Sequence, residues 1–293
     1  MNLLSRFYKY QDERFPLKYL GFTTMAVVLS SAAVLSYEVS SVQILSNYLA
    51  CLFFLFHIRV IDESRDYQHD KRYHPHRPIH RGLISLKELL IFNIIGLILF
   101  TLCALYFSKS SSIYGLALLV FSFFAWKDFY LNKSFIKKHF YLYNSMQMSQ
   151  MVLLQLFIYA VFTHEFILND VMLIHLLFVV FNTIILEIVR KIKTEKEESS
   201  GNDTYSFHLG YKKALYVFYF FNVLNIMTFL WMLYSLSPNL GWYLYASLFL
   251  FTLITSAVFM HLTIKSKKTE TFLMVCSVLN YVGLNLLVYT FNI

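Results

Sequence analysis

The sequence predicts an all-α, polytopic membrane protein with nine transmembrane helices, and three observations carry that prediction. Hydrophobic residues fill 58% of the 293 positions and charged residues only 14%, while the mean hydropathy is +0.55. The apolar residues form continuous runs of about 20 positions, the length that a helix needs to cross a bilayer core of about 30 Å. The basic residues fall almost entirely between alternate runs. This composition excludes a soluble globular domain and a disordered chain.

The apolar runs set the predicted spans in chain order, preceded by an interfacial helix. Leu3, Leu4, Phe7 and Tyr8 alternate with charged residues there, which is typical of a helix lying on the membrane surface rather than of a signal peptide. Lys127 and Asp128 make the end of the fourth span ambiguous. The nine predicted spans are 17–36, 41–60, 86–107, 111–131, 141–162, 171–190, 213–235, 240–264 and 271–291.

The basic residues predict the orientation of these spans. If the N-terminus is cytoplasmic, all of the 25 Lys and Arg except Lys109 fall in segments on the cytoplasmic side. Cytoplasmic loops attract Lys and Arg, so the sequence predicts an N-terminus inside and a C-terminus outside. The net charge of +8 is then a topology signal. It does not indicate a nucleic-acid partner.

The acidic residues gather in two of the predicted cytoplasmic loops, 62–85 and 187–210. These loops hold more than half of the 17 Asp and Glu, although acids contribute little to membrane orientation. Asp62, Asp66 and Asp70 recur at every fourth position, which places them on one face of a helix that continues out of the second span. Their mutual repulsion would be relieved by a bound cation, and carboxylate oxygens are the ligands that Mg²⁺ prefers.

Basic residues follow these acids in the first loop. Lys71, Arg72, Arg77 and Arg81 are suited to bind phosphate groups, since a guanidinium can contact two oxygens at once. The alternative is that the loop is solvated charge with internal salt bridges. That alternative accounts for the basic residues, but it does not explain why the acidic residues gather in the same loop.

The second loop follows the sixth span and carries the other acids. Glu187 falls in the last turn of that span, where an ionisable residue is a functional candidate or else pairs with Lys191 four residues later. Residues 199–202 are predicted to form a turn. Asp203 or Thr204 is then expected to cap a short helix that enters the seventh span.

The two loops resemble the motifs of the UbiA superfamily of intramembrane prenyltransferases. The family pattern is N-D-x-x-D-x-x-x-D, followed by R-P and then R-G. Residues 62–70 read D-E-x-x-D-x-x-x-D, and Arg77-Pro78 and Arg81-Gly82 follow. The substitutions of Asp62 for Asn and Glu63 for Asp keep oxygen ligands.

The second loop departs further from its family pattern of D-x-x-x-D, three residues, Gly and a nearby Thr. Glu197, Gly201 and Thr204 match, but Lys193 occupies the position of the first acid. The resemblance leaves three candidates for the missing ligand, and the sequence does not choose among them. They are Glu187, Glu195 and Glu198.

The resemblance implies a fold, a reaction and a set of site residues. It implies one domain over residues 1–293, with nine helices around a central cavity and the motif loops on the cytoplasmic side. It further implies Mg²⁺-dependent transfer of a prenyl group from a polyprenyl diphosphate to a lipophilic acceptor, for which an aromatic ring is one candidate. The implied catalytic residues are Asp66, Asp70 and Glu197. The implied Mg²⁺ ligands are Asp62, Glu63, Asp66, Asp70, Glu187, Glu195, Glu197 and Glu198. The implied diphosphate ligands are Lys71, Arg72, Arg77, Arg81, Arg190 and Lys191.

Two tyrosines have two interpretations. Tyr67 and Tyr205 lie in the motif loops, where a ring face could stabilise an allylic cation or orient the acceptor. Ordinary packing is the simpler explanation for both.

Three alternative functions remain open from the sequence. A terpene cyclase of the UbiA type would use the same ionisation step but no acceptor, and the unusual second loop is compatible with it. A transporter is less consistent, because ionisable residues are almost missing from the predicted span centres. His69, His74, His76 and His80 could ligate iron or zinc, although enzymes of that kind generally carry several histidine boxes and this chain has one.

Overall fold

The computed structural model describes residues 2–35, 38–163, 168–195, 198 and 204–291, and every regular element in these ranges is helical. The chain divides into two compact units. Unit 1 comprises Met1–Val28 and Tyr37–Phe166, and unit 2 comprises Leu29–Ser36 and Ile167–Ile293. The predicted motif loop at 62–85 belongs to unit 1, and the described residues of the loop at 187–210 belong to unit 2.

The helices of unit 1 begin with the predicted N-terminal helix. They are α1 (Leu3–Arg14), α2 (Leu17–Ala33, whose end belongs to unit 2), α3 (Ser41–Arg65), α4 (Tyr67–Tyr73), α5 (Leu86–Phe107), α6 (Lys109–Trp126), α7 (Lys133–Lys138) and α8 (Phe140–Phe162). The helices of unit 2 are α9 (Asp170–Arg190), α10 (Tyr205–Leu209), α11 (Tyr211–Leu236), α12 (Gly241–Ile264) and α13 (Lys267–Phe291).

Each predicted span coincides with one of the longer helices, which confirms the polytopic helical fold. Within the described ranges, 8 helices are long and apolar enough to cross a membrane. The helix α2 is apolar but has 17 residues, so its length of about 25 Å falls short of the usual bilayer core. The count of nine transmembrane helices and the side of the N-terminus stay predictions.

The C-terminal end of the fourth span lies earlier in the structure than the sequence predicts. The helix α6 ends at Trp126 rather than at residue 131. Asp128, Phe129 and Tyr130 then take φ values of 50°, 54° and 55°, which turn the chain out of the helix. L-residues other than Gly seldom adopt this left-handed conformation, so no local signal in the sequence marks the turn.

Serine caps fix where several helices of unit 1 begin, among them α3 and α5. Ser40 accepts a hydrogen bond from the backbone N–H of Gln43 at 3.2 Å, and the Gln43 side chain accepts one from the Ser40 backbone. Ser85 and Glu88 form the same capping box at the start of α5. Both boxes satisfy backbone donors that the first helical turn leaves unpaired.

Unit 1 is organised around α3, which contacts α5, α6 and α8. The rings of Phe54, Phe100 and Phe157 connect α3, α5 and α8, with centroids 5.3 Å and 5.0 Å apart in successive pairs. His57 on α3 lies 3.1 Å from Asn93 and 3.0 Å from Ser122 through its two ring nitrogens. One imidazole therefore joins three helices.

Unit 2 is built on pairs formed by α9 with α11 and by α12 with α13. The rings of Phe178 and Phe229 meet between α9 and α11. Ser30, at the end of α2, donates to Asn285 at 2.7 Å and lies 3.1 Å from His175. Hydrogen bonds of this kind join apolar helices and contribute on average about 0.6 kcal/mol each in membrane proteins.

Two glycines in the helices provide a matched stability test. A Cβ atom at Gly115 on α6 would lie 2.7 Å from the Cβ of Ala104 on α5, whereas one at Gly283 would lie 2.7 Å from the terminal Cδ1 of Leu250. The Cβ of Ala104 moves only with its helix, but the end of a leucine side chain can rotate away. We expect Gly115→Ala to destabilise the protein by about 1–3 kcal/mol through overpacking.

Thermal melting of the detergent-solubilised protein measures this difference, and Gly283→Ala is the control. The control is expected to melt within a few degrees of the wild type. Equal melting of the two variants would show that α5 and α6 are not in the close contact described.

Candidate functional site

The acidic face of the first loop is built where α3 gives way to α4. Asp66 ends α3 and precedes α4 with φ −88° and ψ 7°, outside ideal helical geometry. Its N–H still donates to the Asp62 carbonyl at 2.9 Å, and the N–H of Asp70 donates to the Asp66 carbonyl at 2.8 Å. Because the four-residue spacing of these bonds continues across the break, the three aspartates keep the predicted register.

Arg65 is shared by several of these carboxylates. Its guanidinium donates to Asp62 at 2.8 Å and to Asp66 at 3.2 Å, and it lies 3.6 Å from a carboxylate oxygen of Asp128. Tyr143 also donates a hydrogen bond to Asp128. Three carboxylates therefore share the Arg65 guanidinium, and such a cluster is suited to a cation of higher charge.

Glu63 has different partners from its neighbour Asp62. Its Oε1 atom accepts from Arg14 at 2.8 Å and from Arg59 at 2.6 Å, and its side chain is only 1% exposed. The hydroxyl of Tyr10 lies 3.5 Å from the same oxygen. Burial, followed by the Glu63 charge, raises the pKa of Tyr10, which keeps that phenol protonated. This geometry favours a structural role for Glu63 over the predicted metal-binding role, and we call Glu63, Arg14, Arg59 and Tyr10 the Glu63 clamp.

The structure brings together Asp70 and Arg77, which are two of the predicted site residues. They form an ion pair in which the Asp70 side chain is 4% exposed. The chain beyond them is held by Ile79 and Ile84, which are 9% and 2% exposed and pack in one apolar cluster. That cluster also contains Tyr10 and Phe15 from the N-terminal segment and Phe56, Val60 and Leu89 from α3 and α5. The basic extension is therefore a folded cap that these two isoleucines anchor to the apolar cluster.

The other bases of the first loop remain accessible. Lys71 and Arg72 are exposed, and the Arg72 guanidinium lies 5.4 Å from the Tyr73 ring centre. Arg81 pairs with Glu13 on α1 at 2.5 Å, with both side chains more than 40% exposed. Exposed pairs of this type contribute little, so Arg81 can exchange Glu13 for an anionic ligand.

The described part of the second loop is ordered by hydrogen bonds within unit 2. Thr204 accepts from the Phe207 backbone at 3.1 Å and so caps α10, as predicted. The backbone N–H of Lys193 donates to Ser206 at 2.6 Å, and that of Tyr205 donates to the Lys191 carbonyl at 3.0 Å. Tyr205 is buried.

The acids of the second loop have separate partners. Glu187 pairs with Arg190 at 2.6 Å and with Lys191 at 2.7 Å, which is the helix-end pairing considered from the sequence. Glu198 accepts a hydrogen bond from Thr204, and Glu195 is exposed. Glu197, Gly201 and Asp203 lie outside the described residues, as does the predicted turn at 199–202.

Lys193, which stands in place of an expected acid, has an acidic partner that the sequence did not reveal. Its ammonium forms an ion pair with Glu270 at the start of α13. The unusual charge is thereby neutralised inside unit 2. Sequence spacing gives no signal for this pair, because the two residues lie 77 positions apart.

Arg65 and Asp128 also belong to the carboxylate cluster, although neither was predicted from the sequence as a site residue. The position of Arg65, three residues after Asp62 and next to Asp66, was a usable signal. For Asp128 the only signal was a charged residue at the end of an apolar run. Tyr67, which the sequence suggested as a cation or acceptor contact, is partly buried, with its ring centre 4.8 Å from that of His80.

The UbiA prenyltransferase family matches residues 13–280. No curated protein matches the sequence at a significant level.

Several solved structures are similar to this chain over most of its length. A structure described in a study of digeranylgeranylglyceryl phosphate synthase in membranes is 21% identical, with a TM-score of 0.64 over 99% of this chain and 100% of that one. A UbiA homologue from Aeropyrum pernix K1 is 13% identical, with a TM-score of 0.70 over 91% and 97%. A UbiA homologue from Archaeoglobus fulgidus bound to DMAPP and Mg²⁺ is 14% identical, with a TM-score of 0.56 over 96% and 99%. At these low identities the structural similarity shows the fold alone.

The Glu63 clamp generates a prediction about stability. Glu63→Gln removes the buried charge that pairs with Arg14 and Arg59, whose side chains are 18% and 16% exposed. Loss of one partner of a buried ion pair costs about 3–5 kcal/mol, and the partial exposure of the two arginines places the expected loss at or below the lower end. We expect a clear fall in melting temperature in detergent. Asp62→Asn, one position away but partly exposed, is the control and is expected to change the melting temperature little. Similar losses in both variants would contradict the separation of Glu63 from the acidic face.

Proposed function

Because the chain belongs to the UbiA prenyltransferase family, we propose that it transfers a prenyl group from a polyprenyl diphosphate to a lipophilic acceptor within the membrane. The observation that carries this proposal is the acidic face of Asp62, Asp66 and Asp70. It holds an excess of negative charge directly beside the guanidinium of Arg77. An acidic and a basic surface in contact are suited to a metal ion and a diphosphate bound together.

The residues of this face suit Mg²⁺ by donor type, and Asp70 offers it the carboxylate oxygen that does not pair with Arg77. They offer only carboxylate oxygens, and the Asp62 and Asp66 side chains are 31% and 46% exposed, which leaves them accessible to a hydrated ion. Mg²⁺ commonly takes one or two carboxylates and completes its shell with water and phosphate oxygens. When bound, Mg²⁺ would neutralise charge that develops on the departing diphosphate. We propose Asp66 and Asp70 as its principal ligands, with Asp62 as a further oxygen donor.

The basic residues act on the leaving group. Loss of diphosphate from an allylic carbon places negative charge on the departing oxygens, and positive groups fixed at that point lower the barrier. Arg77 is held there by Asp70 and by the folded cap that contains Ile79 and Ile84. Lys71, Arg72 and Arg81 are accessible and complete the set of proposed diphosphate ligands.

Ligands bound to relatives support this assignment. The Archaeoglobus fulgidus homologue has been solved with DMAPP and Mg²⁺ and with GPP and Mg²⁺, and also with Cd²⁺. We carry prenyl diphosphate and divalent-metal binding over to this chain as part of the proposal. The Lys and Arg distribution further supports motif loops on the cytoplasmic side of a multi-pass membrane protein.

The second loop is proposed to hold a second metal and to contact diphosphate. Glu197 is its matched acid, and Glu195 or Glu198 supplies the further carboxylate. Glu187 is a weaker candidate, because Arg190 and Lys191 already pair with it. Those two bases are the proposed diphosphate ligands of this loop.

One observation favours cyclisation as a second candidate function. Lys193 replaces an acid and is bound to Glu270, so this position cannot supply the usual metal ligand. A changed diphosphate environment could guide the allylic cation toward a double bond of its own chain instead of an acceptor. The ionisation step and its residues would be the same.

Asp66→Asn tests the metal-binding face. The substitution keeps the size of the side chain but removes the charge, and we expect Mg²⁺-dependent diphosphate release from a polyprenyl diphosphate to fall by at least about 100-fold. Release is measured with purified protein in lipid or detergent. Asp12→Asn, an exposed acid on α1, is the control and is expected to retain activity. Wild-type rates in the Asp66 variant would remove the metal proposal.

Product analysis separates transfer from cyclisation. With a prenyl diphosphate and no acceptor, a transferase is expected to give little product apart from slow hydrolysis. With membrane lipid extract added, mass spectrometry is expected to detect a prenylated lipid. A cyclic hydrocarbon or alcohol formed without acceptor would overturn the transferase assignment in favour of the cyclase.

A further inference from the structure

The histidines of the first loop fall into two groups in the structure. Among the described residues, one set of three metal-ligating side chains converges, and it consists of His69, Asp70 and His74, whose candidate ligand atoms all lie within 4.8 Å of one another. His76 is exposed, and the ring of His80 packs against Tyr67. The structure thus selects two of the four histidines.

We propose that His69, Asp70 and His74 form a three-ligand site for a borderline divalent cation, Zn²⁺, distinct in donor chemistry from the carboxylate face that is suited to Mg²⁺. Two imidazole nitrogens and one carboxylate oxygen form a ligand set found in catalytic zinc sites, where one coordination position stays open. Imidazole suits Zn²⁺ and its first-row neighbours, whereas Mg²⁺ prefers oxygen.

The backbone brings the three residues together. His69 and Asp70 are adjacent on α4, and His74 ends that helix with φ −133° and ψ 52° while its N–H donates to the Asp70 carbonyl at 2.8 Å. This final turn folds the His74 side chain back beside Asp70. Donor atoms around tetrahedral Zn²⁺ lie about 3.3 Å apart, so small rotations of the partly exposed imidazoles would close the site.

A second observation also points to a ligand. The Nε2 atom of His69 is shielded from solvent and has no hydrogen-bond partner among the described residues. A buried nitrogen of this kind is costly unless it is bound, and metal coordination at the imidazole would remove the cost. His80 has a similarly placed Nε2 atom but stands outside the converging set, which makes it an informative comparison.

Arg77 supports this site rather than blocking it. Its guanidinium contacts Oδ2 of Asp70, and a carboxylate has a second oxygen that can bind a metal. Partners that hold a ligating carboxylate in place commonly raise metal affinity. Asp70 would then belong to both the zinc site and the acidic face.

The test uses the full-length protein in detergent after treatment with a chelator. Zn²⁺ affinity is measured by competition with a chromogenic chelator, and Co²⁺ serves as a visible probe of geometry. We expect the wild type to bind Zn²⁺ at least about tenfold more tightly than His69→Ala or His74→Ala. Bound Co²⁺ should give the strong visible absorption of a four-coordinate ion.

Two variants keep the test specific. His76→Ala removes an exposed imidazole from the same loop, and Asp12→Asn removes an exposed acid outside both proposed metal sites; both are expected to keep wild-type Zn²⁺ affinity. Thermal melting without metal checks that every variant is folded. Equal Zn²⁺ affinity in the wild type and His69→Ala, or an equal loss in His76→Ala, would overturn the site.

The zinc site and the proposed prenyl transfer can be contradicted independently of each other. Zinc binding that depends on His69 and His74, in a protein that releases no diphosphate from any prenyl diphosphate, would support this site while contradicting prenyl transfer. Mg²⁺-dependent diphosphate release with no histidine-dependent Zn²⁺ binding would contradict this site alone.

Discussion

Repulsion among carboxylates on one helix face is the constraint on which the account of the site depends. Asp62, Asp66 and Asp70 keep the four-residue register across the junction of α3 and α4, and Arg65 brings Asp128 to the same cluster. Arg65 and Arg77 together provide two positive charges for these four carboxylates. The excess charge gives a physical reason for a divalent cation at this position, and Arg77 gives one for an anionic group beside it.

The acidic face can be held in place because other contacts stabilise the junction. The Glu63 clamp fixes α1 against α3 with a carboxylate that is almost fully buried. Arg6 on α1 adds a contact to Glu88 of α5 at 2.6 Å. Ile79 and Ile84 pack the basic extension into the same apolar cluster as Tyr10 and Phe15. The residues proposed to bind substrate are thereby separated from those that hold the fold together, even where they are adjacent in sequence.

The sequence predicted the helices well because bilayer thickness dictates the length of an apolar run. The span predicted at 86–107 is the helix Leu86–Phe107, and the run at 240–264 is Gly241–Ile264. The register of the first motif was also predictable, since a period of four follows from helix geometry. The end of α6 was not predictable. The residues that follow it in a left-handed conformation, beginning with Asp128, are not glycines and so do not mark a turn in the sequence.

The partners of the charged residues were the part that sequence reasoning could not supply. The sequence grouped Glu63 with its acidic neighbours, but adjacent helical residues point about 100° apart, and tertiary packing brings Glu63 to Arg14 and Arg59. Glu270 was likewise invisible as the partner of Lys193, because nothing in a linear pattern joins α13 to the second loop. The family resemblance located both loops, whereas the structure assigns each described side chain its contact.

The most direct test of the central claim is equilibrium binding of a prenyl diphosphate, measured calorimetrically with Mg²⁺ and again with EDTA. Cation-dependent neutralisation of the acidic face predicts that binding weakens by at least about tenfold when the metal is removed. Equal affinity under both conditions would contradict the claim that the carboxylates of Asp62, Asp66 and Asp70 act through a divalent cation.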